Sequence, residues 1–153
     1  MADFEVVRST TIAASRERVH GLIDDFHAWR AWSPWEDVDP SLERDYSGAD
    51  SGVGAKYAWE GNRKAGKGNM EIVSSTPERI DLRLVFEKPW KATNQVAFEL
   101  TPSGDTATDV TWRMGGTTKG FAALFSKVVS MDRMVGKDFE KGLARMKAAA
   151  ESG

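Results

Sequence analysis

Few side chains in this sequence are placed to do chemistry, and those that are lie on apolar faces. Alternation along the first strand-like run puts Arg8 on the side of Phe4, Val6 and Ile12. Asn94 shares a side with Val96 and Phe98, and Asp138 falls at the margin of a helical apolar stripe, near Met134. A buried charge without a partner costs several kcal/mol or shifts its pKa. Each of these groups is therefore expected to be paired, to sit at a rim, or to face a ligand. As catalytic groups, Arg8 would polarise a carbonyl and Asp138 or Tyr57 would move a proton, while Asn94 would orient a ligand carbonyl. The plainer alternatives are a rim contact of Asp138 with Lys141 at helical spacing, which is preferred, Arg8 lying beyond the core edge, and Asn94 simply opening its strand.

Two histidines occur, His20 and His27. Two imidazoles without cysteine do not complete a metal shell, so surface or loop positions are expected and no metal is. No GxSxG, HExxH or phosphate-cradling loop is present. GVGAKYAWEGN opens a strand with no helix after it, so its glycines point to a turn and sheet curvature rather than a nucleotide. No cofactor is expected.

Aromatic residues are the richer signal: six Trp, seven Phe and six Met. Trp29, Trp32 and Trp35 recur every third residue, either as the wall of a cavity or as packing of a helical pair on the sheet, the latter favoured for at least one of them. Tyr57, Trp59, Met70, Leu84, Asn94, Phe98, Trp112 and Met114 fall on inward faces of strands, and Met131, Met134 and Val135 on or beside a helix stripe. Together these are the expected ligand-lining residues, although core filling is an equal use for Trp59 and Trp112.

These residues need a scaffold. From Ser130 to Ala150 the stripe Met131, Val135, Phe139, Leu143, Met146, Ala149 and Ala150 predicts a long amphipathic helix capped by Ser130, with Gly142 inside the stripe. Strands are predicted for Phe4 to Ile12 and near 42–47, 53–60, 67–75, 79–87, 92–101 and 107–115, separated by turn-rich segments. A helix starting at Ser15 and a short helical turn ended by Pro34 fall between the first two strands. The expectation is an α+β domain spanning 1–153, one curved sheet with the long helix in its hollow. Alternate turns of an antiparallel meander share an end. One end would be acidic, with Asp50, Glu78 and Asp105. The other would carry Arg63, Lys64, Lys67, Lys88, Lys91, Lys119 and Lys127 among Trp90, Phe121 and Phe125, a basic, aromatic-fringed rim.

The 153 residues suffice for one core. The net charge of -2 gives no pull toward nucleic acid. MADFEVVRST has early charge and no apolar run, no stretch approaches the length of a membrane helix, and cysteine is absent, so a soluble cytoplasmic protein is expected.

WRAWSPWEDVDP, GVGAKYAWEGN, the KPW turn, VTWRMGG and DFEKGLARMK, set in the order strand, two helices, six strands, helix, resemble the START/Bet v1-like (SRPBCC) helix-grip superfamily, in its polyketide cyclase/dehydrase-like bacterial branch. The resemblance implies a seven-stranded antiparallel sheet wrapped around the C-terminal helix, with a cavity for an apolar ligand whose mouth lies among the basic loops. Three functions follow as expectations. The first is binding of a lipid, isoprenoid, quinone or polyketide-like molecule. The others are a polyketide cyclase/aromatase or dehydratase, and a protein-interaction module. Transient contact with an anionic membrane would suit the same rim.

Overall fold

The computed structural model describes residues 3–33, 41–62, 66–88, 92–117 and 125–152, and side chains for 5–33, 41–62, 66–87, 93–115 and 136–152. Strands β1 (Asp3–Ile12), β2 (Glu43–Gly48), β3 (Ala55–Glu60), β4 (Lys67–Thr76), β5 (Arg79–Lys88), β6 (Ala92–Ser103) and β7 (Ala107–Thr117) form one antiparallel sheet. Its order is β1-β7-β6-β5-β4-β3-β2. The α+β, helix-grip expectation holds: a curved sheet, two short helices after β1 and a long C-terminal helix.

Helix α1 (Arg16–Asp24) starts where Ser15 accepts the Arg18 N–H at 3.2 Å, and it buries Val19 and Ile23. Asp25 then accepts the His27 N–H at 2.9 Å and starts a 3-10 turn over Phe26–Ala31. That turn feeds two indoles inward. Trp29 Nε1 donates to the Ile23 carbonyl and Trp32 Nε1 to the Leu22 carbonyl, each at 2.7 Å. Both tryptophans are buried, the packing alternative raised above, while Trp35 lies outside the described residues.

Helix α2 (Phe125–Glu151) begins earlier than the sequence pattern suggested, so Ser130 is inside the helix and not its cap. Nothing in FSKVV breaks a helix, and an interior Ser costs little against a cap. Its far end is tied down on several sides. Arg18 donates to the carbonyls of Ala150 (2.6 Å) and Ala149 (3.1 Å), a cation on the negative end of the helix dipole. Glu151 accepts from the Ala13 N–H at 2.8 Å and pairs with Lys147, which also reaches the Thr11 carbonyl. The helix thus runs along β1 with its apolar stripe, Phe139, Leu143, Met146 and Ala150, turned into the hollow.

The sealed part of the core is aromatic. Trp112 stacks on Phe139 with centroids 3.9 Å apart and planes at 6°. Phe98 and Trp32 close against Trp112 at 4.9 and 5.4 Å. Such contacts are worth about 0.5–1.5 kcal/mol each beyond area burial. The convex face is ion-paired: Arg79 with Asp81 and Glu99, Arg83 with Glu71, Arg113 with Glu99 and Glu5.

Candidate ligand-binding site

Register stacks the inward side chains into rungs that cross the sheet. Ile80, Phe98 and Trp112 are successive partners in one rung, and Arg8 continues it onto β1. Ile72, Leu82, Val96 and Met114 make the next. Tyr57, Met70, Leu84 and Asn94 make the third, across four strands. Trp59, Gly68 and Phe86 follow at the end where β3 turns into β4 and β5 into β6.

Exposure rises along these rungs. Ile80 and Phe98 are 0% exposed and Trp112 2%. In the second rung Ile72 and Leu82 are at 0%, but Val96 is at 5% and Met114 at 6%. In the third, Tyr57, Met70 and Leu84 reach 8%, 9% and 8%, and Asn94 5%. Trp59 and Phe86 are half-buried. The inner face is thus sealed at the Phe98 rung and slightly less so at the Tyr57, Met70 and Leu84 rung, whose members are still buried.

The less sealed end has aromatic walls. Tyr57 and Trp59 stack at 6.1 Å, and Phe86 meets Trp59 edge-on at 5.9 Å. Trp59 lies flat on the sheet because Gly68 has no side chain: a Cβ there would sit 2.7 Å from the indole.

Asn94 is the buried polar residue of the third rung. It shares the inward face opposite Leu84, and its amide is not among the sealed, unpartnered polar atoms of the described residues. Arg8 is placed differently. Its Nε donates to Glu140 at 2.9 Å and its Nη1 to the Val7 carbonyl at 2.8 Å, with the guanidinium lying over Gly136 of α2. Asp138 projects from the opposite flank of α2 to Gly136 and Glu140, half-buried. Burial pushes its carboxyl above the ordinary value, and the Lys141 charge partly opposes that. The structure therefore does not bring Arg8 and Asp138 together.

Of the other expected lining residues, Phe98 and Trp112 lie a layer deeper, under Trp32 and Phe139. Met131, Met134 and Val135 belong to α2, but their side chains lie outside those described. At the rim, Lys67 and Lys88 are register partners at the less sealed end. Arg63, Lys64, Trp90, Lys91 and Phe121 lie outside the described residues, as do the side chains of Lys88 and Phe125. Asp50, Glu78 and Asp105 lie in turns at the other end. Phe86 and Gly68, missing from the expected lining, were within reach of the same alternation that marked Leu84 and Met70.

A separate cleft of about 130 Å³ lies at the acidic corner of β2 and β3, lined by Phe26, His27, Tyr46 and Lys56 among others. His27 stacks on Tyr46 there at 4.1 Å, with Nδ1 held 2.8 Å from Asp25. His20 is elsewhere, its Nε2 3.3 Å from the Ser75 hydroxyl. No group of three or more His, Asp or Glu among the described residues is placed to hold a metal ion.

A curved seven-stranded antiparallel sheet gripping one long C-terminal helix, with two short helices after the first strand, defines the helix-grip class of folds. Residues 3–151 match the family described as polyketide cyclase / dehydrase and lipid transport, and the chain belongs to that family. The fold is similar to that of protein CV1439 from Chromobacterium violaceum (17% identity, 96% of each chain, TM-score 0.68). It is also similar to norcoclaurine synthase from Thalictrum flavum (8% identity, 99% of this chain and 88% of that one, TM-score 0.68). The di-domain ARO/CYC StfQ of the steffimycin biosynthetic pathway shares 10% identity over 98% of this chain and 51% of its own, at a TM-score of 0.70. At such identities the likeness is one of fold alone. No curated protein matches the chain. Among the described residues, no helix is long and apolar enough to cross a membrane.

Proposed function

We propose that this protein binds a small hydrophobic or amphipathic molecule, of lipid, isoprenoid or polyketide-like character, between the sheet and α2, and that it works in the cytoplasm. The observation that carries this reading is the gradient of exposure across the rungs, from 0% at Phe98 to 9% at Met70. The third rung, though buried, is not sealed as the first one is, which supports a space beside it rather than uniform close packing. Apolar burial supplies the affinity, about 25 cal/mol per Å² removed from water, and a few polar groups set orientation. Lys67 and Lys88, with Arg63, Lys64 and Lys91 nearby in sequence, suit an anionic head at the mouth or brief contact with an anionic membrane.

A second reading, a cyclase or dehydratase acting on a polyketide-like substrate, is favoured by one observation. The half-buried Asp138 carboxyl is raised by burial, and it is the carboxyl this reading would use as general acid.

Native mass spectrometry of freshly purified protein tests the first reading, with a thermal-shift panel of lipids, isoprenoids and fused aromatics. Retained mass or a ligand-dependent rise in Tm is expected. An empty protein that no panel member stabilises overturns it. Loss of turnover in Asp138→Asn, with binding kept, would support the second.

A further inference from the structure

Asn94 is about nineteen-twentieths buried, at 5% exposure, in a rung with Leu84, Met70, Tyr57 and Tyr46. Its neighbours along β6 on the same face, Val96, Phe98 and Leu100, are all apolar and buried. The Asn94 amide atoms are not among the sealed, unpartnered polar atoms of the described residues, so they keep a trace of solvent contact, and a ligand that removes it without supplying a hydrogen bond costs free energy. The amide makes no hydrogen bond to any other described residue, and it sits in the rung that is less sealed than that of Phe98. Among the described residues no charged side chain shares its rung.

We propose that Asn94 is the ligand-reading residue of this hollow, and that the ligand carries an uncharged oxygen, a ketone, ester or hydroxyl, part-way along its apolar body. The inference rests on the cavity reading above and narrows the class of ligand. A primary amide both donates and accepts, so it satisfies a carbonyl through its NH2 group or a hydroxyl through its oxygen. An ionised carboxylate brought to the same depth would be stripped of water with no cation among the described side chains of its rung, which is prohibitive. An acidic head therefore stays at the basic mouth, and the group that reaches Asn94 is neutral.

Three probes with one ring system separate these cases: 2-acetylnaphthalene, 2-ethylnaphthalene and 2-naphthoate, titrated into the intact protein and followed by tryptophan fluorescence or calorimetry. Wild type is expected to bind the ketone about five- to tenfold more tightly than the hydrocarbon, the size of one net hydrogen bond. Asn94→Leu should abolish that preference by weakening the ketone, and leave 2-naphthoate no weaker than before. Equal binding of ketone and hydrocarbon by wild type overturns the inference. So does a preference that survives in Asn94→Leu, or a parallel loss of 2-naphthoate. The wild-type ratio is a test in its own right should the variant fold poorly. Binding of none of the three overturns the cavity reading itself.

Discussion

The guanidinium of Arg8 occupies the space that a side chain on Gly136 would fill: a Cβ at Gly136 would fall within 3.0 Å of Arg8 Nε and closer still to the rest of the group. Glycine inside a helix ordinarily costs about 1 kcal/mol against alanine. Here that cost lets β1 and α2 meet through a charged side chain that also holds Glu140 at 2.9 Å. Gly136→Ala should therefore gain less than the usual ~1 kcal/mol, because the added Cβ makes the flexible end of Arg8 move off its contact with Glu140. In an Arg8→Ala background the same change should give the full gain. Urea unfolding of the four members of the cycle reads the coupling directly. Additive effects would show that the contact carries no weight.

Trp32 is fully buried and holds the Leu22 carbonyl at 2.7 Å while closing the aromatic end of the hollow. Trp32→Ala should cost about 3–5 kcal/mol. Trp32→Phe keeps much of the packing but leaves the carbonyl without its donor, for a loss of about 1–2 kcal/mol. Comparable losses for the two variants, measured by chemical denaturation, would mean that packing contributes little at this site.

Two carboxyls should give opposite pH dependences. Lys147, and then the Ala13 amide, hold Glu151 below its ordinary pKa. Its contribution is thus present above the unfolded-state value and fades as pH falls through the folded one. Burial raises Asp138. Its ionised form is therefore a cost at neutral pH, relieved as pH falls through the folded value toward the unfolded one. Denaturation midpoints between pH 7 and pH 3 check both signs. Glu151→Gln should be less stable than wild type at neutral pH and converge with it in acid. Asp138→Asn should be more stable at neutral pH, with a gain that shrinks in acid. A gain from Asp138→Asn that does not change with pH would contradict the assigned cause.

Much of this architecture is legible in periodicity. Period-two alternation marks Ile80, Leu82 and Leu84, or Val110, Trp112 and Met114, as one face because a pleated strand leaves no other choice. The C-terminal helix follows from its stripe for the same reason. Depth is not legible: alternation places Phe98 and Leu84 on one surface, and only the third dimension shows Phe98 sealed under Trp32 while Leu84 keeps solvent contact. Pairwise fits across elements are hidden as well. Gly136 gives no hint in sequence that it serves Arg8, since the two are joined by folding alone. The start of α2 is not legible either, because Ser130 is compatible with both a cap and a helix interior.

The hollow itself predicts a contrast between two leucines on one strand. Leu82 and Leu84 share a face of β5, yet Leu82 is 0% exposed and Leu84 8%. Enlarging a side chain in a packed core forces neighbours off their rotamers, at about 1–3 kcal/mol. Leu82→Phe should show that cost. Leu84→Phe, pointing into space left for a ligand, should cost less than about 1 kcal/mol and yet weaken capture of 2-acetylnaphthalene, because the added ring takes up the volume the probe needs. Thermal unfolding and a binding titration on both variants decide the matter. Equal destabilisation would mean that the third rung is packed as tightly as the second, and that the gradient of exposure is not the outline of a cavity.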